Sequence, residues 1–230
     1  MNRTYRPVLA LLLLLTFTCG SAAAEGYRPQ PFHAVYSVQV NGFKVGEITR
    51  DLRIEADGHY VLENVMYTTG LVALFKKDRV TERSTWYYND DHAKPMEYYA
   101  HYTGRSKDVT ERLDFDWKRD IATSLRDGKT TEVKLVPGAL DKLMHQIVLR
   151  GDVAAGKTHI EYEIADRNEL IPYVYDVVGS ENVVTPRGTV NTIKVKKGTT
   201  TFWLAPKWDY LLVKLIQEND DGTFASYLHE

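Results

Sequence analysis

Apolar and polar residues alternate along most of the chain after residue 31. Segments 32–40, 46–56 and 109–117 each carry their apolar residues on one alternating set of positions, and the last two place charged residues on the opposite face. A period of two with one charged face is typical of antiparallel strands that have one side in water. Further segments predicted as strands are residues 59–69, 80–88, 96–102, 121–126, 130–136, 159–165, 172–184, 189–197, 200–204, 210–217 and 223–228.

Dipeptides that favour tight turns separate several of these segments. They are Asn41-Gly42, Asp57-Gly58, Asp127-Gly128 and Asp221-Gly222. Such pairs tolerate positive φ angles and are strong signals of β-hairpins. About a dozen strands are too many for one flat open sheet, which would curl or close. The sequence therefore predicts an all-β, mainly antiparallel fold, either a strongly curved sheet or an open β-barrel.

One segment, at residues 138–150, has a helical period instead. Pro137 precedes it, Asp141 suits its first turn, and Arg150 suits its end. We therefore predict one amphipathic helix at about 138–150 that packs into the mouth or the concavity of the curved sheet. A second apolar stretch, residues 69–75, fits a helical turn or a loop. The apolar residues at helical spacing in 138–150 are Leu140, Leu143, Met144, Ile147 and Val148.

The N-terminus has the pattern of a secretory signal peptide. Arg3 and Arg6 precede the apolar run 8–15, and small residues follow at 21–24. Cleavage after residue 24 would leave residues 25–230 as a single β-rich domain. Cys19 suits a lipid-anchored protein poorly, because Thr18 precedes it and Thr16 stands where leucine belongs, so we expect it to leave with the signal peptide.

Removal of residues 1–24 changes the charge and the cysteine content. The full chain has 29 Lys and Arg against 31 Asp and Glu; the predicted mature chain has 27 against 31, a net charge of −4, and no cysteine. A chain of this length buries roughly 70% of its unfolded surface, which is enough for a core without disulfides. Export without disulfides favours a bacterial periplasm. The longest apolar run, residues 8–15, is too short to span a bilayer, and we expect no transmembrane segment in the mature chain.

No motif predicts catalysis, a metal site or a cofactor. The chain lacks G-x-S-x-G and the glycine-rich phosphate loops, and no two of its seven histidines have the i, i+4 spacing of a zinc site. Asp90-Asp91-His92 is the densest group of possible ligands, but a solvated turn explains it. The acidic mature chain argues against nucleic acid as a partner. Enzyme activity stays open, because a triad can assemble from distant positions.

The aromatic content is the remaining unusual feature, with 15 Tyr, 7 Phe and 4 Trp. Aromatic residues are favoured in strands and fill barrel cores. In a barrel too wide for its own side chains, some of them would instead line an apolar ligand cavity. On this second interpretation the predicted ligand-binding residues are Tyr36, Tyr98, Tyr102, Phe115, Trp117, Leu143, Met144, Ile147 and Trp203.

Several short motifs follow one another in a definite order along the chain. They are Phe32, Ala34, Tyr36, Val38, Asn41, Gly42 and Gly46; Phe115-Asp116-Trp117; Asp141; Thr185-Pro186-Arg187-Gly188; and Trp203-Leu204-Ala205-Pro206 before Tyr210. This order resembles a known family of exported bacterial proteins, the domain of unknown function 3108. The match spans nearly the whole mature chain, and it implies a mostly β protein without assigned catalytic residues. One departure is that Leu212 stands where family patterns often have proline.

Three functions fit these predictions. The first is a non-enzymatic periplasmic protein that binds or carries a lipid or another apolar ligand in the curved sheet. The second is an assembly factor of the cell envelope with a filled core and a protein partner. The third is a hydrolase of glycans, which would require two carboxylates that converge in a cleft.

Overall fold

The structure is a computed structural model that describes residues 26–70, 73, 78–104, 108–220 and 222–230. The predicted signal peptide, and most of the apolar stretch 69–75 predicted as a helical turn or a loop, lie outside these ranges. The strands are β1 (Phe32–Val40), β2 (Phe43–Ile54), β3 (Tyr60–Thr68), β4 (Arg79–Asn89), β5 (His92–Thr103), β6 (Val109–Asp116), β7 (Ile121–Arg126), β8 (Lys129–Lys134), β9 (Leu140–Asp141), β10 (His159–Asp166), β11 (Glu169–Thr185), β12 (Gly188–Lys197), β13 (Thr200–Ala205), β14 (Leu211–Asn219) and β15 (Gly222–Leu228). Within the described ranges, helix α1 spans His145–Ala154, and Pro206–Trp208 forms a 3-10 turn.

All fifteen strands belong to one curved sheet that does not close. Its order runs from β8 back to β1, continues to β15, and then runs back to β9. The first strand therefore pairs with the last, with Tyr36 opposite Leu228. Every pairing is antiparallel except that of β9 with β10. The predicted fold class, a mainly antiparallel and strongly curved sheet, is confirmed.

Two of the predicted turn dipeptides form the tight hairpins expected of them. Asn41 and Gly42 have φ angles of 50° and 82°, and Asp127 and Gly128 have 49° and 73°. Two consecutive positive φ angles match the right-handed twist of the adjoining strands. Asp57-Gly58 lies in a longer turn, where Gly58 alone has positive φ. Residue 221, in the fourth dipeptide, lies outside the described residues.

The helix begins seven residues later than predicted and ends four residues later. Leu140 and Asp141 pair with β10 as the short strand β9. The Asp141 carboxylate then accepts hydrogen bonds from the backbone N–H groups of Leu143 and Met144, at 2.7 and 2.8 Å. These bonds hold a turn that precedes α1. At the other end, a Cβ atom on Gly151 would lie 2.5 Å from Cδ1 of Tyr27, so this glycine lets the N-terminal segment pack on the helix.

The helix lies in the concavity and joins two apolar clusters into one interior. Leu149 and Val153 pack with side chains of β1 and β10–β15. Ile147, with Leu143 and Met144 in the turn before the helix, packs with side chains of β2–β8. Because one helix serves both clusters, the two halves of the sheet share a single core.

An ion network links the two halves near the unpaired edges β8 and β9. Lys142, just after β9, contacts Glu111 of β6 at 2.6 Å and Asp166 of β10 at 2.9 Å. Arg126 of β7 also contacts Glu111, at 2.9 Å. Glu111 is fully buried, so its charge is balanced by two cations. Through Lys142 the network joins β6 to β10 near the two ends of the sheet.

Candidate functional site

Two small cavities lie inside the sheet, beside α1. The first has a volume of about 110 Å³ and the second about 10 Å³. An apolar cavity of ~150 Å³ accommodates benzene, and one of ~10–15 Å³ holds a single water molecule. The larger cavity is lined by Tyr36, Ile48, Arg50, Asn64, Gln146, Leu212, Leu215, Phe224 and Ser226. Tyr36, Arg50, Gln146 and Leu212 line both cavities.

Arg50 is the unusual residue of this site. It is 6% exposed, and its Nε and Nη2 atoms form no hydrogen bond with any described residue. Burial lowers its pKa below the ordinary value, because a buried guanidinium has lost its hydration. A buried charge normally has a hydrogen-bonded partner. The unpartnered donors of Arg50 make it a candidate ligand-binding residue.

A second buried arginine, Arg150 of α1, lines the smaller cavity. It donates from Nε and Nη2 to the backbone oxygen of Asp209, at 3.0 and 2.6 Å, and from Nη2 to the Asp209 carboxylate at 2.8 Å. Tyr27 donates to the same carboxylate. Arg150 is thus anchored, unlike Arg50. Asp209 can face it because the backbone there has a φ of 51° at the end of the 3-10 turn.

Of the neutral polar groups that line the larger cavity, some have hydrogen-bond partners and others do not. The Tyr36 hydroxyl donates to the backbone oxygen of Leu212 at 2.8 Å. Asn64 lies opposite Arg50 in the sheet, and its Oδ1 atom has no partner among the described residues. Two donor nitrogens of Arg50 and one acceptor oxygen of Asn64 are thus buried without partners in residues that line this cavity.

Another buried polar group, at the start of α1, has its partners within the protein. Asp141 accepts hydrogen bonds from Ser84 and two backbone N–H groups, and burial raises its pKa to about 6. His145 contacts the backbone oxygen of Asp141 at 3.3 Å, and burial lowers its pKa to about 3. Neither residue lines a cavity described above. We therefore assign both residues a structural role at the start of α1.

The structure brings two of the predicted ligand-binding residues to the cavities. Tyr36 lines both, and Ile147 lines the smaller one. Leu143 and Met144 are fully buried in the core. Tyr98 is also fully buried, and its hydroxyl donates to Glu82 at 2.7 Å.

The other four predicted residues lie elsewhere. Tyr102 packs partly buried against the core of β2–β8. Phe115 and Trp117 stack with ring centres 6.4 Å apart, and the Trp117 indole donates to the backbone oxygen of Pro95. Trp203 pairs across the sheet with Lys194 and Lys214, whose ammonium groups lie 5.6 and 4.2 Å from its ring centre.

Arg50 is not among the predicted ligand-binding residues, because all of those are aromatic or aliphatic. The alternation of β2 places residue 50 between Ile48 and Leu52, on the same face as both. A charged residue at an inward position of a strand was therefore visible in the sequence. Asn64, between Leu62 and Met66 of β3, carries the same signal.

A surface groove of about 290 Å³ contains two carboxylates, Asp91 and Asp152. A glycan hydrolase would need two such groups free to act on a substrate, but both of these are bonded to other residues. Asp91 accepts from the backbone of Gly26 and lies 3.7 Å from Arg28. Asp152 accepts a hydrogen bond from Tyr162 and contacts Lys157.

In the described part of the chain, no group of three or more His, Cys, Asp or Glu side chains could hold a metal ion. None of the helices described there is long and apolar enough to cross a membrane.

The fold and the site define a curved antiparallel β protein with a helix and a small polar-lined cavity inside it. The chain belongs to the family described as Protein of unknown function (DUF3108), whose model matches residues 35–229. The resemblance inferred from the motif order is therefore confirmed. A comparison with curated proteins gives no match.

Two solved structures are similar to the chain to different degrees. The crystal structure of a beta-barrel-like protein of domain of unknown function DUF1849 from Brucella abortus has a TM-score of 0.56 and 11% identity, over 87% of this chain and 96% of that chain. At this identity the likeness shows the fold alone. The crystal structure of MucB has 9% identity over 90% and 88% of the two chains, but its TM-score of 0.20 supports no argument.

Proposed function

We propose that this protein is a non-enzymatic binding protein of the bacterial periplasm that holds an apolar, lipid-like ligand in the cavity beside α1. The observation that carries the proposal is the cavity of about 110 Å³ between the helix and the sheet. Its walls include Ile48, Leu212, Leu215 and Phe224. A pocket with mostly apolar walls and a few polar groups is typical of small-molecule sites.

The size of the cavity limits what it can hold. It is smaller than the ~150 Å³ that benzene occupies in an engineered cavity, so it takes a short part of a ligand, such as one end of an acyl chain. Ile48, Leu215 and Phe224 are only partly buried. A longer chain would therefore leave the cavity on the side where these residues reach the surface.

Binding is tested by titrating the purified mature protein with hexan-1-ol in a calorimeter. We expect saturable binding with one site per chain, and loss of binding in Leu215→Trp, which fills the cavity. Val184→Trp is the matched control, because Val184 is 81% exposed and its variant should bind as the unaltered protein does. If the unaltered protein binds neither hexanol nor hexanoate, the proposed function is wrong.

The proposed location rests on the sequence. Basic residues, an apolar run and small residues precede position 25, and the chain that would remain has no cysteine. Fractionation of cells that produce the full chain, followed by N-terminal sequencing, tests it. We expect a periplasmic protein that begins at Glu25. Recovery of uncleaved protein in the cytoplasm would contradict the location.

One observation favours the second function, a partner-binding protein with a filled core. Most of the interior is occupied by α1 and by the side chains of the two apolar clusters. Cross-linking in cells distinguishes the two functions. A discrete cross-linked envelope protein, together with no binding of hexanol or hexanoate, would support the second function over the first.

A further inference from the structure

A row of polar side chains crosses the inner side of the sheet next to the larger cavity. Arg50 pairs with Asn64, and Asn64 pairs with Glu82. The Glu82 carboxylate accepts a hydrogen bond from the Tyr98 hydroxyl. No ion pair joins Arg50 to Glu82 within the described ranges of the chain, and Asn64 stands between them. The Glu82 carboxylate therefore acts on the charge of Arg50 only across the intervening Asn64, without direct contact.

The free nitrogens of Arg50 form one edge of its guanidinium group. Nε and Nη2 lie side by side on the planar group, and both lack partners in the described structure. Two parallel N–H donors at this spacing match the two oxygens of a carboxylate. Such bidentate bonds are shorter and stronger than those between neutral groups. The unused edge has the geometry of an anion-binding fork.

Arg50, whose Nε and Nη2 atoms are buried, lines the larger cavity together with the apolar side chains of Leu212, Leu215 and Phe224. Polar side chains, among them Asn64, line it as well. A ligand in this space would lie beside a buried positive charge and against hydrocarbon. Arg150 adds a second buried positive charge nearby, which lowers the pKa of Arg50 further by repulsion. An anion between these groups would relieve both the lost hydration and the repulsion.

We propose that Arg50 selects a ligand with a carboxylate group, so that the cavity binds the acidic end of an aliphatic monocarboxylate. This inference rests on the proposed function and names the chemistry of its ligand. The carboxylate oxygens accept hydrogen bonds from Nε and Nη2 of Arg50, and the carbon chain lies against Leu212, Leu215 and Phe224.

The selectivity is tested by calorimetry with hexanoate, hexan-1-ol and hexylamine at pH 7. We expect hexanoate to bind about tenfold or more tightly than hexanol, as two charge-assisted hydrogen bonds imply, and hexylamine to bind weakest. Arg50→Met should bind hexanoate and hexanol equally. Arg53→Met is the matched control: Arg53 lies on the same strand with an exposed side chain, and its variant should keep the preference for hexanoate.

A second readout separates ligand selection from a structural role. An unpaired buried charge destabilises the folded protein, so Arg50→Met should raise the melting temperature of the unliganded protein. Arg150→Met should lower it, because Asp209 would lose its partner. A lower melting temperature for Arg50→Met would show that Arg50 supports the fold, and would overturn the inference.

The outcomes distinguish this inference from the proposed function. Equal binding of hexanol and hexanoate to the unaltered protein would support the cavity and overturn the role of Arg50. A preference for hexanoate that survives in Arg50→Met would also overturn that role. Absence of binding by both ligands would overturn both. A preference that disappears only in Arg50→Met supports both.

Discussion

Two buried groups beside the start of α1 should change the stability of the protein with pH in opposite directions. Asp141 is fully buried and His145 is nearly so. Burial raises the pKa of Asp141 from 3.8 to about 6 and lowers the pKa of His145 from 6.5 to about 3. Both shifts have the same cause, since burial disfavours the charged form of each group.

The sign of each effect follows from which state of the chain binds the proton more tightly. Folded Asp141 holds its proton more tightly than unfolded Asp141, so its contribution to stability falls as the pH rises from 3.8 to about 6. His145 is neutral in the folded chain and takes up a proton when the chain unfolds. Its contribution is therefore lost as the pH falls from 6.5 towards 3.

The two contributions nearly cancel between pH 6 and pH 4. With ~1.4 kcal/mol for each pKa unit, the loss from His145 over this interval is roughly 2–3 kcal/mol, and the gain from Asp141 is about 2 kcal/mol. The pair should therefore change the stability of the unaltered protein little between pH 6 and pH 4. Asp141→Asn removes the stability gained from Asp141 and leaves the stability lost through His145.

The expected result is that Asp141→Asn loses about 2 kcal/mol more stability than the unaltered protein between pH 6 and pH 4. Urea unfolding at pH 4, 5 and 6, followed by tryptophan fluorescence, measures this difference. The variant will also be less stable at every pH, since an amide offers one acceptor oxygen where the carboxylate accepts three hydrogen bonds. The comparison is therefore between pH dependences.

Asp114→Asn is the control, because Asp114 has an exposed side chain and its variant should follow the pH dependence of the unaltered protein. Parallel pH dependences of Asp141→Asn and the unaltered protein would refute the argument, since they would show that the carboxyl group of Asp141 does not bind a proton in this range.

Three further predictions concern the core, the ion network and a turn. Ile147→Ala should destabilise the protein by ~2–5 kcal/mol in urea unfolding, because it leaves a cavity in the core, whereas exposed Val184→Ala should change stability by less than ~0.5 kcal/mol. Lys142→Met should cost ~3 kcal/mol by leaving Glu111 one cation short, and adding Glu111→Gln should recover part of that loss if the charge is the cause. Gly42→Ala should cost roughly 1 kcal/mol through its φ of 82° alone, because no atom lies within 4 Å of the added Cβ; an unchanged melting temperature would contradict this.

The sequence by itself determined the fold class, because that depends on local patterns. Alternation of period two marks a strand wherever one face is buried, and Asn41-Gly42 and Asp127-Gly128 adopt the φ angles that a tight hairpin requires. The motifs that indicated the family are also short segments. The helix was recognised from its period, but its start was misplaced because Leu140 and Asp141 pair with β10, which is a distant contact.

Only the tertiary structure decided where the cavity lies and which side chains are left without partners in it. Arg50 and Asn64 could be placed on an inward face from the sequence, but whether another residue satisfies them depends on strands far away in the chain. Tyr36 and Ile147 reach the cavities, whereas Trp203 lies between two lysines. Period two distinguishes the faces of a strand; the curvature of the sheet and the position of α1 decide which inward residues pack together and which surround an empty space.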